Sequence, residues 1–149
     1  MNNEPMIITM VCNKGGVGRS TTTINVGWKL AELGFKTLIV DLDAQCNTSM
    51  TLAQDYVNDI ARSTNNLTAC INDENGYFYS HKVETRHPNL DLLGATILLD
   101  ETEENMKQQA IPTHILESKL DQEAKNYYDY ILFDTPPSKH SKLLHNALV

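Results

Sequence analysis

The chain has 149 residues, 12 basic and 19 acidic side chains and a net charge of −7. This length suits one domain with a buried core, and the acidic balance argues against a nucleic-acid surface formed by these residues alone. No apolar run is long enough to cross a membrane, and we expect no secretory leader. Three cysteines without a C-x-x-C pair predict reduced thiols and a cytoplasmic location: Cys12, Cys46 and Cys70.

The first predicted strand, 6–12, is a short β-branched run that leads directly into a glycine-rich loop. The loop reads Cys-Asn-Lys-Gly-Gly-Val-Gly-Arg-Ser-Thr over 12–21. Apolar residues at helical spacing then predict a helix over 20–33, which ends before Gly34. The loop glycines let successive N–H groups point inward, where the helix N-terminus adds its positive pole. The strand, loop and helix together predict a site for a polyphosphate.

The second predicted strand, 36–41, is apolar and ends in two closely spaced carboxylates, Asp41 and Asp43. The segment over 41–47 reads Asp-Leu-Asp-Ala-Gln-Cys-Asn. Apolar contacts spaced along the following residues predict a helix over 48–61. Carboxylates at the end of a buried strand indicate ligand groups, because open α/β sheets bind their ligands at that edge.

Two further strands are predicted, at 90–93 and 129–134. Between them, Pro112 precedes a segment whose apolar spacing predicts a helix over 113–127. The last strand ends at Asp134, which Thr-Pro-Pro follows. Strands joined by helices in this way indicate βαβ units and a mostly parallel sheet.

Other segments predict surface features. The aromatic residues 77–79 indicate either a short strand or an aromatic surface patch. The acidic run over 100–104 predicts the solvated first turns of a helix, where the helix dipole favours negative charge. A further helix is expected to begin at Ser141. We interpret His140 and His145 as surface residues and not as metal ligands.

Three of these segments, taken together, resemble the ParA/MinD family of partitioning and positioning ATPases. Lys14 followed by Gly-Gly-Val-Gly resembles the deviant Walker A loop of that family. Residues 41–47 resemble its D-x-D-x-Q-x-N switch I segment, and residues 130–138 resemble its Walker B segment with a D-x-P-P continuation. Arg19 departs from the family pattern, which has lysine there. Arginine keeps the charge but is a planar fork instead of a compact ammonium.

The resemblance implies an α/β fold of the P-loop NTPase type, with three layers and a mostly parallel sheet. The implied strand order is third, second, fourth, first, with the far edge of the first strand open. Full-length relatives continue with more strands. The resemblance therefore implies that residues 1–149 are the N-terminal part of a ParA-type nucleotide-binding domain that lacks the C-terminal strands.

By the same resemblance, the expected function is that of a partitioning ATPase that binds ATP and Mg²⁺. It would form a homodimer on ATP binding and act in plasmid or chromosome segregation with a partition partner protein. Non-specific DNA contacts would belong to the missing C-terminal part. Nothing resembles the family's membrane-binding helix, so no membrane contact is expected.

The resemblance also implies roles for individual residues. The nucleotide-binding loop would comprise Lys14, Gly15, Gly16, Val17, Gly18, Arg19, Ser20 and Thr21. Ser20, Asp41 and Asp134 would serve the Mg²⁺ ion, Asp134 through water. Asp43 would orient or deprotonate the attacking water, and Lys14 would reach the phosphates of the partner subunit across the dimer.

Three alternatives remain open. A non-hydrolysing nucleotide-dependent switch is the first, because Arg19 could hold ATP while misplacing charge on the γ-phosphate. An iron–sulfur carrier or nitrogenase-reductase homologue is the second, although it needs cysteines at a dimer axis or a C-x-x-C pair, and neither is visible in these residues. An inactive, truncated remnant is the third.

Overall fold

The computed structural model describes residues 4–12, 14–53, 59, 61–108, 114–137 and 140–148. A five-stranded sheet forms its centre. The strands are β1 (Met6–Met10), β2 (Thr37–Asp41), β3 (Val83–Glu84), β4 (Leu90–Leu93) and β5 (Tyr130–Asp134). The helices are α1 (Arg19–Glu32), α2 (Asn47–Leu52), α3 (Leu67–Asn72), α4 (Phe78–His81), α5 (Leu99–Gln108), α6 (Ile115–Lys119), α7 (Gln122–Tyr127) and α8 (Lys142–Asn146).

The strand order is β1-β5-β2-β4-β3, and all pairs are parallel except β3 with β4. The predicted order of the four longer strands is confirmed, and the α/β class with it. The short antiparallel β3 is an addition that the sequence patterns did not indicate. Within the described residues β1 pairs only with β5, and its residues Met6 and Ile7 are 59% and 50% exposed.

The sheet separates two apolar clusters. Ile39 packs in the cluster beneath α1, whereas Leu38 and Val40 pack in the cluster on the opposite face. This division follows from the alternation of side chains along a strand. Every residue of β2 is buried, which explains why the strand reads as a nearly continuous apolar run.

Helix α1 approaches the sheet closely at Gly27. A Cβ atom built at Gly27 would lie 2.6 Å from Cδ1 and 3.1 Å from Cγ1 of Ile39, which is fully buried. A glycine inside a helix costs about 1 kcal/mol relative to alanine, but here a larger residue would force Ile39 or the whole helix to move. The glycine therefore sets the distance between α1 and β2.

The prediction of a short strand at residues 77–79 is wrong, and the surface-patch alternative holds only for Tyr77, which is 40% exposed. Tyr77 precedes the short helix α4, and Phe78 is fully buried in the core. The ring of Phe78 contacts that of Phe133 edge to face, with 6.3 Å between centroids. Burial of one aromatic ring from a polar segment is a tertiary effect that local composition did not indicate.

The predicted helix over 113–127 is wrong as a continuous element. The structure has α6 and α7 instead, separated by Leu120 and Asp121. Asp121 has extended backbone (φ −75°, ψ 165°) and is the N-cap residue of α7, without a side-chain cap hydrogen bond, so its backbone interrupts the predicted helix. The predicted helix over 48–61 is confirmed only in its first part, because α2 ends at Leu52 and Ala53 has extended backbone (φ −127°, ψ 101°). Residues 54–58 and 60, like residues 111–113, lie outside the described part of the chain.

The acidic run at 100–104 begins α5 as predicted, but it is not entirely solvated. Glu103 is buried, and its carboxylate accepts hydrogen bonds from the Ser141 hydroxyl at 3.2 Å and from the Lys142 N–H. The helix predicted to begin at Ser141 is α8, and the Ser141 hydroxyl caps it by accepting from the Leu144 N–H. Among the described helices, none is sufficiently long and apolar to cross a lipid bilayer.

Candidate functional site

Three strand ends meet at one edge of the sheet. In the parallel register, Met10 of β1 and Asp41 of β2 both pair with Asp134 of β5. The glycine-rich loop follows β1, and the acidic segment 41–47 continues from the end of β2. Segments far apart in sequence are thus brought side by side, as expected for the carboxyl ends of parallel strands.

The glycine loop joins β1 to the first turn of α1. Gly16 and Gly18 have positive φ angles of 72° and 81°, a conformation that side chains with a Cβ rarely adopt. Cβ atoms built at Gly15, Gly16 and Gly18 would meet no heavy atom within 4 Å. Gly18 is the N-cap of α1 and provides no side-chain cap hydrogen bond. The loop therefore offers open space beside backbone N–H groups at a helix N-terminus.

A cavity of about 340 Å³ lies over this loop. Its lining includes every loop residue that the sequence predicted: Lys14, Gly15, Gly16, Val17, Gly18, Arg19, Ser20 and Thr21. Asp43, Gln45, Asn47 and Pro137 complete the lining. Lys14 is exposed at the rim. Asp41 and Asp134 do not line the cavity, so the structure brings the predicted loop together with Asp43 and leaves the other two carboxylates beneath the surface.

The Arg19 side chain turns inward, beneath the loop. Its Nη1 donates a hydrogen bond to the Cys12 carbonyl at 3.1 Å. Its Nη2 lies 3.7 Å from Asp43 Oδ2, and its Nε lies 3.5 Å from Asp134 Oδ1. The side chain is only 9% exposed, and Nε is buried without a hydrogen-bond partner in the described structure. Arg19 therefore forms ion pairs with two strand-end carboxylates.

Asp134 is fully buried at the end of β5 and is held by two hydroxyl groups as well as by Arg19. Thr48 Oγ1 of α2 donates to Oδ2 at 2.6 Å, and Thr23 Oγ1 of α1 contacts Oδ1 at 3.4 Å. The carboxylate thus connects the first turns of two helices. Its hydrogen bonds compensate for the loss of hydration.

Asp41 is also fully buried, and its carboxylate accepts hydrogen bonds from residues that follow it in the chain. Oδ1 accepts from the Asp43 N–H at 3.1 Å, and Oδ2 accepts from the Ser49 N–H at 3.0 Å and the Ser49 hydroxyl at 2.6 Å. Burial raises the pKa of Asp41 to about 7, although the hydrogen bonds from Ser49 and Asp43 oppose the rise. The predicted role of Asp41 at Mg²⁺ stays a prediction.

Asp43 lies between the cavity and Arg19. Its Oδ1 accepts from the Gln45 N–H at 3.0 Å, and its backbone carbonyl accepts from the Cys46 N–H at 2.8 Å. These bonds form a tight turn in which Cys46 has φ 57°, unusual for a residue other than glycine. The turn fixes the Asp43 side chain, which is 11% exposed, at the cavity wall.

Sequence reasoning missed the three hydroxyl residues that hold the buried carboxylates: Thr23, Thr48 and Ser49. Each lies in the first turns of a helix that follows a strand-end motif, and this position was the available signal. The described residues contain no group of three or more His, Cys, Asp or Glu side chains suited to a metal ion. A Mg²⁺ ion here would depend on phosphate oxygens and water for most of its ligands, as is usual for this ion.

The chain is similar to several known proteins. A family model described as an AAA domain matches residues 5–149. The chromosome partitioning protein ParA of Caulobacter vibrioides is 32% identical over 140 residues, which cover 93% of this chain and 51% of that protein. The chain spans about half the length of the curated relatives it matches.

Two solved structures have the same fold. A plasmid partition protein of Borrelia burgdorferi bound to AMPPNP superposes with a TM-score of 0.80 at 28% identity, over 98% of this chain and 59% of that one. Cobyrinic acid a,c-diamide synthase of Mycobacterium smegmatis, with an ATP analogue and magnesium, gives 0.81 at 26% identity, over 97% and 56%. With the glycine loop in place and the AAA-domain match nearly complete, the chain belongs to the ParA/MinD family of P-loop ATPases.

Proposed function

We propose that this chain binds ATP with Mg²⁺ and forms the nucleotide-binding portion of a partition ATPase. The observation that carries the proposal is the open glycine loop, whose left-handed Gly16 and Gly18 lie beside a cavity of about 340 Å³. A helix N-terminus without a side-chain cap leaves N–H donors available to an anion. The solved relatives with AMPPNP, or with an ATP analogue and magnesium, support the same assignment.

The residues present fit a nucleotide phosphate chain. Loop amides from Gly15 to Thr21 would hold the β- and γ-phosphates, and the Ser20 hydroxyl would face Mg²⁺. Asp134 would act on the outer shell of the ion through water. When bound, Mg²⁺ would neutralise charge that develops on the phosphate oxygens. Asp43 at the cavity wall would orient the attacking water or accept its proton.

The proposal extends to assembly and cellular role by analogy with the partition relatives. ATP binding would favour a homodimer in which Lys14 reaches the phosphates of the partner subunit, and the position of Lys14 at the exposed rim supports this. The protein would act in plasmid or chromosome segregation in the cytoplasm, with a partition partner protein. DNA contact would need residues outside this acidic chain.

A second candidate function is a nucleotide-dependent switch that does not hydrolyse ATP. The position of the Arg19 guanidinium favours it, because Asp43 is paired with this cation at 3.7 Å. This ion pair engages Oδ2 of Asp43, so the guanidinium competes with an attacking water for that oxygen. Measured ATP turnover separates the two candidates.

A pair of glycine substitutions tests nucleotide binding. Gly18→Val places a β-branched side chain in the loop, at a φ of 81° that such residues avoid. Gly34→Val imposes comparable strain at a φ of 94°, at the far end of α1, where a Cβ also meets nothing within 4 Å. We expect Gly18→Val to weaken binding of Mg-AMPPNP by about tenfold or more in calorimetry, and Gly34→Val to change it by less than about threefold. Equal affinity in the Gly18→Val variant and the parent would refute the proposed site.

A further inference from the structure

The guanidinium of Arg19 occupies a position that connects all three strand ends of the site. It contacts the Cys12 carbonyl after β1, Asp43 after β2 and Asp134 at the end of β5. In the described structure, these are the ion pairs that both carboxylates make. Arg19 therefore lies among the strand ends beneath the cavity as well as lining the cavity itself.

Arg19 offsets half of the negative charge of Asp43 and Asp134. Asp43 and Asp134 contribute two negative charges, and Arg19 contributes one positive charge within 3.7 Å of each. Lys14 adds a second positive charge at the rim of the same cavity. Two carboxylates without a counter-ion would attract a divalent cation and repel phosphate, and the ion pairs with Arg19 weaken both effects.

The shape of arginine matters to this arrangement. A planar fork with five N–H donors can reach a carbonyl and two carboxylates on different sides, while an ammonium group is compact and sits on a single stem. The contact to Asp134 is nevertheless imperfect, because the buried Nε makes no hydrogen bond. The guanidinium is thus held mainly by charge.

We infer that Arg19 is an internal counter-ion for Asp43 and Asp134, so that nucleotide affinity in this chain depends little on Mg²⁺. The inference rests on the proposed nucleotide site and specifies how that site is regulated. Mg²⁺ would then contribute more to the hydrolysis of the nucleotide than to the affinity for it.

The test is the affinity for ADP, measured by calorimetry with Mg²⁺ and with EDTA. We expect the parent protein to lose less than about threefold in affinity when Mg²⁺ is removed. Arg19→Lys should lose about tenfold or more on the same change, because its ammonium cannot pair with both carboxylates. Arg86→Lys is the matched control, since Arg86 is exposed in the turn before β4, at the opposite end of the strands, and it should behave like the parent.

The outcomes separate this inference from the proposed function. If the parent binds ADP in Mg²⁺ and loses tenfold or more in EDTA, the nucleotide site stands and the counter-ion assignment is wrong. If Arg19→Lys is as insensitive to Mg²⁺ as the parent, Arg19 is not the cause and the assignment is also wrong. If ADP binds in neither buffer, the proposed function itself fails. The comparison on the parent protein needs no variant, so a misfolded Arg19→Lys protein does not prevent the test.

Discussion

Asp41 and Asp134 are direct neighbours in the parallel register of β2 and β5, yet hydroxyls of consecutive residues in α2 hold them. Ser49 Oγ donates to Asp41 and Thr48 Oγ1 donates to Asp134, each at 2.6 Å. Helix α2 is therefore fixed to the sheet through two adjacent buried carboxylates. The segment that carries Asp43 leads into this helix, so these bonds also fix the cavity wall.

The Ser49→Ala substitution tests this attachment. The Ser49 hydroxyl donates to Asp41 and accepts from the Ala95 N–H at 2.9 Å, and its loss leaves both buried groups short of a partner. We expect the free energy of unfolding to fall by about 1–3 kcal/mol. Thr51→Ala in the same helix is the control, because the Thr51 hydroxyl is exposed and bonds only its own helix at Asn47. Urea denaturation of both variants checks the prediction, and equal stabilities would contradict it.

Asp41 should give the protein an unusual pH dependence. Its pKa rises from 3.8 to about 7 on folding, mainly because burial removes its hydration. Between these values the folded state binds more protons than the unfolded state, so the contribution of Asp41 to stability falls as pH rises. The stability advantage of the parent over Asp41→Asn should shrink between about pH 4 and pH 7, by up to about 1.4 kcal/mol per pH unit. Urea denaturation across this range measures it, and a constant difference would show that the pKa is not raised.

Arg19 should limit the rate of ATP hydrolysis. Lysine at this position would free Asp43 and place a compact charge near the β- and γ-phosphates, where negative charge grows in the transition state. One such misplaced donor is worth on the order of 3 kcal/mol. We expect Arg19→Lys to raise turnover by about tenfold or more while the affinity for Mg-ATP changes little. Lower or unchanged turnover would mean that the site has adapted to arginine, and the candidate switch would lose its main support.

Asp43 should be needed for hydrolysis but not for ATP binding. Asp43→Ala removes the carboxylate at the cavity wall that would position water, and we expect turnover to fall by about 10²-fold or more. The ATP-bound dimer should then accumulate, which size-exclusion chromatography with ATP can detect. Asp100→Ala, an exposed position on α5, serves as control. Parent-like hydrolysis by Asp43→Ala would remove this residue from the mechanism.

The glycine loop and the strand ends could be predicted because their signals are local. Gly16 and Gly18 indicate a left-handed backbone between a strand and a helix, and parallel strands place Asp43 and Asp134 at the same edge of the sheet. The order of the strands followed from the resemblance to the family. These features need only the identity of residues within short segments.

The direction of Arg19 could not be predicted in the same way. Its guanidinium is placed by a carbonyl seven residues earlier and by Asp134, whose hydroxyl partners come from α1 and α2. Phe78 likewise enters the core only because Phe133 lies opposite. In each case the decisive contact joins distant parts of the chain, and hydrophobic periodicity carries no information about it.

The close approach of Gly27 to Ile39 should restrict which residues relatives carry at these two positions. A Cβ at position 27 would lie 2.6 Å from Cδ1 of Ile39, so the side chains at these two positions compete for the same limited space between α1 and β2. Relatives that carry alanine or serine at the first position should carry valine or a smaller residue at the second. Where they do not, either the side chain at the second position must turn aside or α1 must lie farther from the sheet, which would also lift the backbone N–H groups at the start of α1.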